Sequence, residues 1–360
     1  MIALRLKARR LAHVALLLLA VAPFAALHAE DVASTHDVDF DPMAQRYQLG
    51  QGLRLGDSGF ALGGYATASA AEPAEPDSNL LLQSLSGFLW WDNGGRWHAF
   101  SELEAENLFA ADEDTLTTRR AELELERLYV DYTATDLFKF RVGKFLTPVG
   151  RWNLIHASPL VWTTSRPLIT EKTFPTNATG AMVYGSLPWT EDGVEYSLYY
   201  SPGEELARDP DIDTFREALG AHLSFAPLPH LHAGLSYANF EQRNTPDEHR
   251  NLYGIDAVWA WHRFELSGEF HYRVNNGNES DSNERGLYLQ AVAPLSERLY
   301  AVARYETFRR SDAERDINIY LGGLNYKLRP ALVFKAEYSR ATDNDLNVRD
   351  GLLGSIAVLF

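Results

Sequence analysis

The sequence predicts an all-β fold: a transmembrane antiparallel β-barrel of about 16 strands with one long infolded loop. Three observations lead to this prediction. Segments of roughly ten residues alternate between apolar and polar side chains, which is the period of a strand. Their connections alternate between short turns and longer polar loops. After the first 29 residues, no apolar run is long enough to cross a bilayer as a helix.

Residues 1–29 have the pattern of a secretory signal peptide. A basic stretch precedes a short apolar core at 11–22, and "LHA" gives a cleavage site after Ala29. The four basic residues of this stretch are Arg5, Lys7, Arg9 and Arg10. We expect residues 30–58 to form an N-terminal periplasmic segment, either a tail or a short plug, and residues 59–360 to form the barrel.

Charge and cysteine content exclude several classes of protein. The formal net charge of the 360-residue chain is −16, and removal of the leader makes it about −20. Nucleic acid is therefore not an expected partner. The chain has no cysteine, so it relies on no disulfide and offers no thiolate metal ligand. No EF-hand spacing or His/Cys metal cluster occurs either, and we expect no cofactor.

Sixteen segments carry the strand pattern, an even number, as expected for a single-chain bacterial barrel. They begin near 59, 80, 96, 119, 137, 179, 193, 216, 230, 251, 262, 285, 297, 315, 331 and 351. Short connections such as "DNGG" at 92–95 alternate with longer polar ones such as "EQRNTPDEHR" at 241–250. Sixteen strands enclose an aqueous channel.

Two neighbouring segments, "SELEAEN" and "AELELER", place a carboxylate at every second position. Taken alone, they also fit a solvated face of an ordinary sheet. In a barrel, a charge facing lipid costs a few kcal/mol, so these side chains must face the lumen. The next segment has basic residues at the same period and should pair with the second acidic strand. The predicted pore-lining residues are Glu102, Glu104, Glu106, Glu122, Glu124, Glu126, Lys139, Arg141, Lys144, Arg263, Glu265, Glu269, Arg304, Lys335 and Glu337.

The longest connection, residues 146–178, is apolar, aromatic and basic, unlike the other loops. A loop of this length is usually functional, and its aromatic residues need burial. We expect it to fold into the barrel and narrow the pore, with Arg151, Arg166 and Lys172 at the constriction. The alternative is a lid or subunit-contact loop that lies outside the barrel.

The leader, the segment "FKFRVGKFLTPVGRW" and the C-terminal Phe360 resemble the bacterial outer-membrane porin superfamily. Within it, "RVGKFLTPVG" resembles the phosphate-selective porin O and P type. This resemblance implies a sixteen-stranded homotrimer with an infolded third loop and anion selectivity from inward Lys and Arg. By position it carries over Lys139, Arg141 and Lys144. The acidic net charge departs from the pattern of an anion channel.

The resulting hypothesis is a porin of the bacterial outer membrane for passive diffusion of small hydrophilic or charged solutes, with anions such as phosphate as candidates. Lipid and lipopolysaccharide are its expected neighbours. One alternative is a structural or adhesive barrel whose acidic loops bind cations or partners. The other is a barrel enzyme such as a lipase, for which Ser158, His98, His156 and His271 are available. No Gly-x-Ser-x-Gly elbow occurs, so we do not expect an enzyme.

Overall fold

The structure is a computed structural model. It describes residues 47–75, 78–111, 116–117, 122–155, 157–190, 193–207, 212–276, 281–311, 313 and 315–360. The predicted signal peptide, 1–29, and the first part of the predicted N-terminal segment, 30–46, lie outside the described residues. Residues 47–54 form a small hairpin, which pairs with the first barrel strand.

The strands form one antiparallel sheet that closes on itself. Their bounds are β1 (Tyr47–Gln48), β2 (Gly52–Arg54), β3 (Phe60–Glu75), β4 (Ser78–Asp92), β5 (Trp97–Ala111), β6 (Leu116–Thr117), β7 (Glu122–Thr133), β8 (Lys139–Leu146), β9 (Asn177–Leu187), β10 (Val194–Ser201), β11 (Phe215–Leu228), β12 (Leu231–Gln242), β13 (Thr245–Trp261), β14 (Phe264–Asn276), β15 (Asp281–Pro294), β16 (Leu299–Arg309), β17 (Ile317–Arg329), β18 (Leu332–Thr342) and β19 (Gly351–Leu359).

Closure occurs between the last strand and the first long one. In β19, Ile356 pairs with Ala68 of β3, and Val358 pairs with Ala66. The hairpin β1–β2 and the two-residue strand β6 are additions to the ring. Within the described part of the chain, the other sixteen strands form the closed barrel, which confirms the predicted fold class.

Alternation along each strand separates an apolar outer face from a polar inner face. In β8, Phe140 and Val142 point outward and are 43% and 63% exposed, whereas Arg141 points inward and bonds to Asp131 of β7. The outer side chains are not covered by other parts of the chain, so the lipid of a membrane is needed to remove them from water. Neither described helix is long and apolar enough to cross a membrane.

Turn chemistry fixes the short connections at one end of the barrel. After β4, Asp92 Oδ1 accepts a hydrogen bond of 2.7 Å from the Gly94 amide. Gly94 has a φ of +76°, which glycine adopts without strain. This geometry returns the chain directly into β5.

The predicted ten-residue loop at 241–250 is mostly strand. β12 extends to Gln242 and β13 begins at Thr245, so only two residues connect them. Polar composition indicates contact with water, and a hairpin that projects above the membrane has the same composition as a loop.

The long connection between β8 and β9 lies inside the barrel. It contains two short helices, α1 (Trp152–Ile155) and α2 (Leu168–Lys172). Trp152 and Ile169 are buried in a cluster with Tyr288, Phe308 and other side chains of the inner wall. The predicted infolding of this loop is therefore confirmed, and the apolar core lies between the loop and the wall.

Candidate channel constriction

The first turn of the infolded loop is fixed by a buried carboxylate of β14. Glu269 accepts hydrogen bonds from the backbone amides of Arg151, at 3.0 Å, and Trp152, at 2.6 Å. Gly150 precedes them with a φ of +63°, and a Cβ at this position would lie 2.1 Å from Glu269 Oε2. Glycine is therefore required here for both its φ and its small size.

The middle of the loop is fixed by two oppositely charged residues of β18. Lys335 donates to the carbonyl oxygens of Ser158, at 2.6 Å, and Thr163, at 3.0 Å. Glu337 accepts from the amides of Thr164, at 2.8 Å, and Ser165, at 2.9 Å. Backbone groups of the loop thereby find partners away from bulk water.

The strand β16 holds the loop just before α2 and at the first residue of α2. Arg304 donates to Thr163 Oγ1, at 2.7 Å, and to Ser165 Oγ, at 2.8 Å. Glu306 accepts from the Leu168 amide at 2.7 Å, at the first residue of α2. Its negative charge also suits a helix N-terminus.

The end of the loop is fixed by β14 again. Thr173 Oγ1 lies 2.9 Å from His271 Nδ1, and Arg273 donates to the Thr173 carbonyl at 2.9 Å. Four residues predicted to line the pore thus face inward and are largely buried against the loop: Glu269, Arg304, Lys335 and Glu337. Arg304 and Glu337 also border the lumen cavity. Glu265 likewise faces inward and accepts from Trp162 Nε1 at 3.0 Å.

The two predicted acidic rows lie side by side. Glu104 pairs directly with Glu124, and Glu106 with Glu122. Adjacent like charges destabilise a sheet unless water or cations screen them. Glu104, Glu106 and Glu124 line the lumen cavity, and together with Glu122 we call them the carboxylate wall, on β5 and β7.

A β-bulge at Glu126 changes the alternation of β7. Leu103 pairs with Leu125, but Glu102 pairs with Arg127, so Glu126 is the extra residue. Arg127 consequently points inward, and its Nε donates to Glu102 Oε2 at 2.5 Å. Strict alternation from Glu122 places Arg127 on the lipid side, so the sequence pattern does not predict this contact.

The predicted basic strand, β8, pairs with β7 as expected. Arg141 makes two hydrogen bonds of 2.8 Å to Asp131 and stacks 3.6 Å from the centre of the Tyr129 ring. Lys144 Nζ lies 3.7 Å from Glu124 Oε1. The two remaining predicted basic residues lie at the short-turn end. Lys139 lies 6.0 Å from the Tyr184 ring, and Arg263, in a turn, donates to the carbonyl oxygens of Ser296 and Glu297.

Two of the three predicted constriction residues line the lumen cavity, Arg166 and Lys172. Arg166 donates to Thr170 Oγ1, at 3.0 Å, and to Asn153 Oδ1, at 2.5 Å, and burial lowers the pKa of its guanidinium. Arg151 is exposed and is not among the described lining residues. Glu171 lies between the two basic residues in sequence, and burial raises the pKa of its carboxyl, against the opposite effect of Arg166.

The loop leaves a cavity of about 730 Å³ between itself and the barrel wall. Among the described lining residues, eight carry carboxylates and five carry basic groups. The acidic ones are Glu104, Glu106, Glu124, Glu126, Glu171, Glu205, Glu306 and Glu337, and the basic ones are Lys144, Arg166, Lys172, Arg304 and Arg349. Within the described residues, no group of three or more His, Asp or Glu side chains is placed to hold a metal ion.

A family model described as Gram-negative porin matches residues 58–347, most of the chain. The chain belongs to the Gram-negative porins. An uncharacterized protein from Aquifex aeolicus is 28% identical to this porin over 357 residues, covering 84% of this chain and 80% of that protein.

Several solved structures share the fold of this porin at low identity. An anion-selective porin from Comamonas acidovorans has a TM-score of 0.59 and 15% identity, covering 83% of this chain and 98% of its own. OmpF of Salmonella typhi has a TM-score of 0.61 and 11% identity, covering 85% and 98%. OmpT of Vibrio cholerae, in a trimer form, has a TM-score of 0.56 and 11% identity, covering 84% and 99%.

The family indicates an outer-membrane channel. The prediction of a member of the porin superfamily is confirmed. What passes through this porin depends on the side chains at its constriction.

Proposed function

We propose that this porin lets small hydrophilic solutes diffuse passively through the constriction, and that it conducts small cations more readily than anions. The observation that carries the proposal is the excess of carboxylates over basic groups on the cavity wall. Rings and rows of Asp and Glu favour cations in aqueous pores. The loop sets the width, because it fills the rest of the lumen.

Phosphate selectivity stays a prediction, and the contacts of the basic residues argue for the opposite preference. Arg141 donates two hydrogen bonds to the Asp131 carboxylate, and Lys144 lies beside Glu124. A carboxylate that already neutralises a guanidinium or ammonium leaves little attraction for an anion.

Liposome swelling tests the passive channel. Purified porin in liposomes should admit a pentose quickly and a tetrasaccharide slowly or not at all, because the cavity is narrow. Protein-free liposomes are the control. Equal rates for both sugars would contradict a constriction formed by the loop, and no swelling with folded porin would contradict the channel itself.

We also propose a homotrimer that uses the outer face of β19, β3 and β4. This face carries the small residues Ala66, Ala68, Gly87 and Gly354 between larger ones such as Leu85, Leu89 and Leu352. Small residues permit close approach of a second copy within lipid, and the similar OmpT was solved as a trimer. Ala68→Trp should therefore dissociate the oligomer in mild detergent. Ala257→Trp, also on the outer face but on β13, should not, and equal behaviour of both variants would contradict this interface.

The adhesive alternative gains no support from the described loop carboxylates. Asp343 lies 3.0 Å from Arg315, and Asp345 lies 3.4 Å from Arg310, so both are engaged in ion pairs.

The enzyme alternative depended in part on His271 as a catalytic residue. In the structure His271 is fully buried between Thr173, Phe174 and Glu269. His156 lies outside the described residues.

A further inference from the structure

The cavity has a second, apolar side, which the charge pattern of the strands does not reveal. Ile319 and Leu321 of β17 point inward, although inner faces of such barrels are normally polar. Leu346 and Val348, from the connection between β18 and β19, pack against the same buried cluster. Val161 of the infolded loop completes this side. We call these five residues the aliphatic wall.

The connection that carries Leu346 and Val348 is held in shape by its own hydrogen bonds. Asn344 Nδ2 donates to the Val348 carbonyl at 2.6 Å, and the Val348 amide donates to Asn344 Oδ1 at 2.7 Å. Asp350 Oδ1 accepts from the Ala341 amide at 2.5 Å. These bonds form a closed local turn, so the two apolar side chains are directed to the cavity by a fixed backbone.

A strip of hydroxyl groups lies between the aliphatic wall and the carboxylate wall. β3 and β4 join the two in the ring of strands, and Tyr65, Thr67, Ser69 and Ser84 line the cavity there. The Thr67 side chain is 2% exposed, and its hydroxyl has no hydrogen-bond partner within the described structure. A buried hydroxyl at a cavity wall without a partner is a position where a ligand donor is favourable.

The carboxylate wall supplies the charge for such a ligand. Glu104 and Glu124 face each other directly, as do Glu106 and Glu122. Lys144 already offsets part of the charge at Glu124, and a cation beside Glu104 and Glu106 relieves the remaining repulsion. A hydrocarbon chain attached to that cation would cover aliphatic surface that otherwise contacts water.

We propose that the cavity preferentially takes small amphipathic ammonium ions, with the ammonium at the carboxylate wall and the alkyl chain against the aliphatic wall. This proposal rests on the proposed channel and names its favoured class of solute. A cavity of about 730 Å³ is of the size that holds one small molecule. Simple inorganic cations use only one of the two walls and pass without being retained.

Current block in planar bilayers tests this selection with three probes. Butylammonium carries both features, methylammonium carries the charge with a minimal chain, and butanesulfonate carries the chain with the opposite charge. We expect butylammonium to halve the single-channel current at about one tenth of the methylammonium concentration, from partial burial of three more methylene groups. Butanesulfonate should not block.

Two variants separate the walls. Glu104→Gln with Glu106→Gln should weaken block by both ammonium ions several-fold. Leu346→Asn should weaken block by butylammonium alone. The ratio of the methylammonium and butylammonium concentrations that halve the current should then fall towards one. The matched controls are Glu297→Gln and Leu295→Asn, which make the same chemical changes in the exposed β15–β16 turn. Both ammonium ions should block the two control variants as they block the original porin.

Calorimetric titration of the folded porin in detergent with the same probes reports binding even where no current flows. Absence of channel steps would contradict the proposed function. The titration would still show whether the cavity binds butylammonium more tightly than methylammonium. Equal block by butylammonium and methylammonium, block by butanesulfonate, or an unchanged ratio in Leu346→Asn would each overturn this inference and leave the channel intact.

Discussion

Arg127 lies directly opposite Glu102 across the β5–β7 pair, and its Nε donates to the buried Glu102 carboxylate at 2.5 Å. The pair exists because the bulge at Glu126 turns Arg127 into the lumen. It neutralises one carboxylate of the acidic wall at the point where Glu102 is fully buried.

Arg127→Met should destabilise the barrel by about 3 kcal/mol, because it leaves a buried carboxylate without its partner. Urea unfolding of the refolded protein in micelles measures this. Arg216→Met is the control, since Arg216 is half-exposed beside Glu241 and should cost less than about 1 kcal/mol. An equal loss of unfolding free energy in both variants would show that burial of the Arg127–Glu102 pair does not increase its contribution to stability.

Gly150→Ala should loosen the start of the infolded loop. The added Cβ would collide with Glu269 Oε2, which holds the amides of Arg151 and Trp152. We expect a noisier and larger single-channel current. Gly56→Ala introduces the same kind of backbone strain, at a φ of +60°, but meets nothing within 4 Å. The expected current for Gly56→Ala is normal, and identical currents in the two variants would contradict the role of Glu269.

Glu337→Gln should release the middle of the loop, because a neutral amide offers one oxygen where two backbone amides now bond to two carboxylate oxygens. Limited proteolysis with chymotrypsin should then cut the loop near Trp162 several-fold faster. Glu195→Gln on β10 serves as the control for charge alone. Unchanged protection of the loop in Glu337→Gln would mean that other contacts suffice.

As the pH is lowered, the preference for cations should begin to weaken at a higher pH than the protonation of ordinary glutamates would cause. Burial raises the pKa of Glu171, so its carboxyl takes up a proton at a higher pH than a free glutamate and the cavity loses a negative charge there. Reversal potentials measured over a pH series should show this step. Glu171→Gln should reduce the step, and a step of unchanged size would assign it to another group.

Sequence alternation was sufficient for the sixteen strands, and it placed the acidic rows on the inner face because a charge cannot face lipid at low cost. It could not show which inward charges meet water. Lys335 and Glu337 have the same pattern as Glu104 and Glu106, yet they hold the loop. Contacts between residues more than 170 positions apart, such as Glu337 with Thr164, have no local signal.

Two other features were beyond the pattern for physical reasons. A bulge adds one residue and reverses the alternation after it, so strict alternation does not place Arg127 in the lumen. The inward Ile319 and Leu321 are covered by Leu346, Val348 and the infolded loop, and only the folded chain brings these segments together.

The reversal potential of the open porin in a potassium chloride gradient tests the central claim most directly. It requires that a channel exists and that the carboxylates of the constriction outweigh its basic groups. The structure predicts steady open-channel steps and a reversal potential whose sign shows preference for potassium. A preference for chloride would contradict the role assigned to the acidic wall, and a folded protein that passes no current at any voltage would contradict the channel.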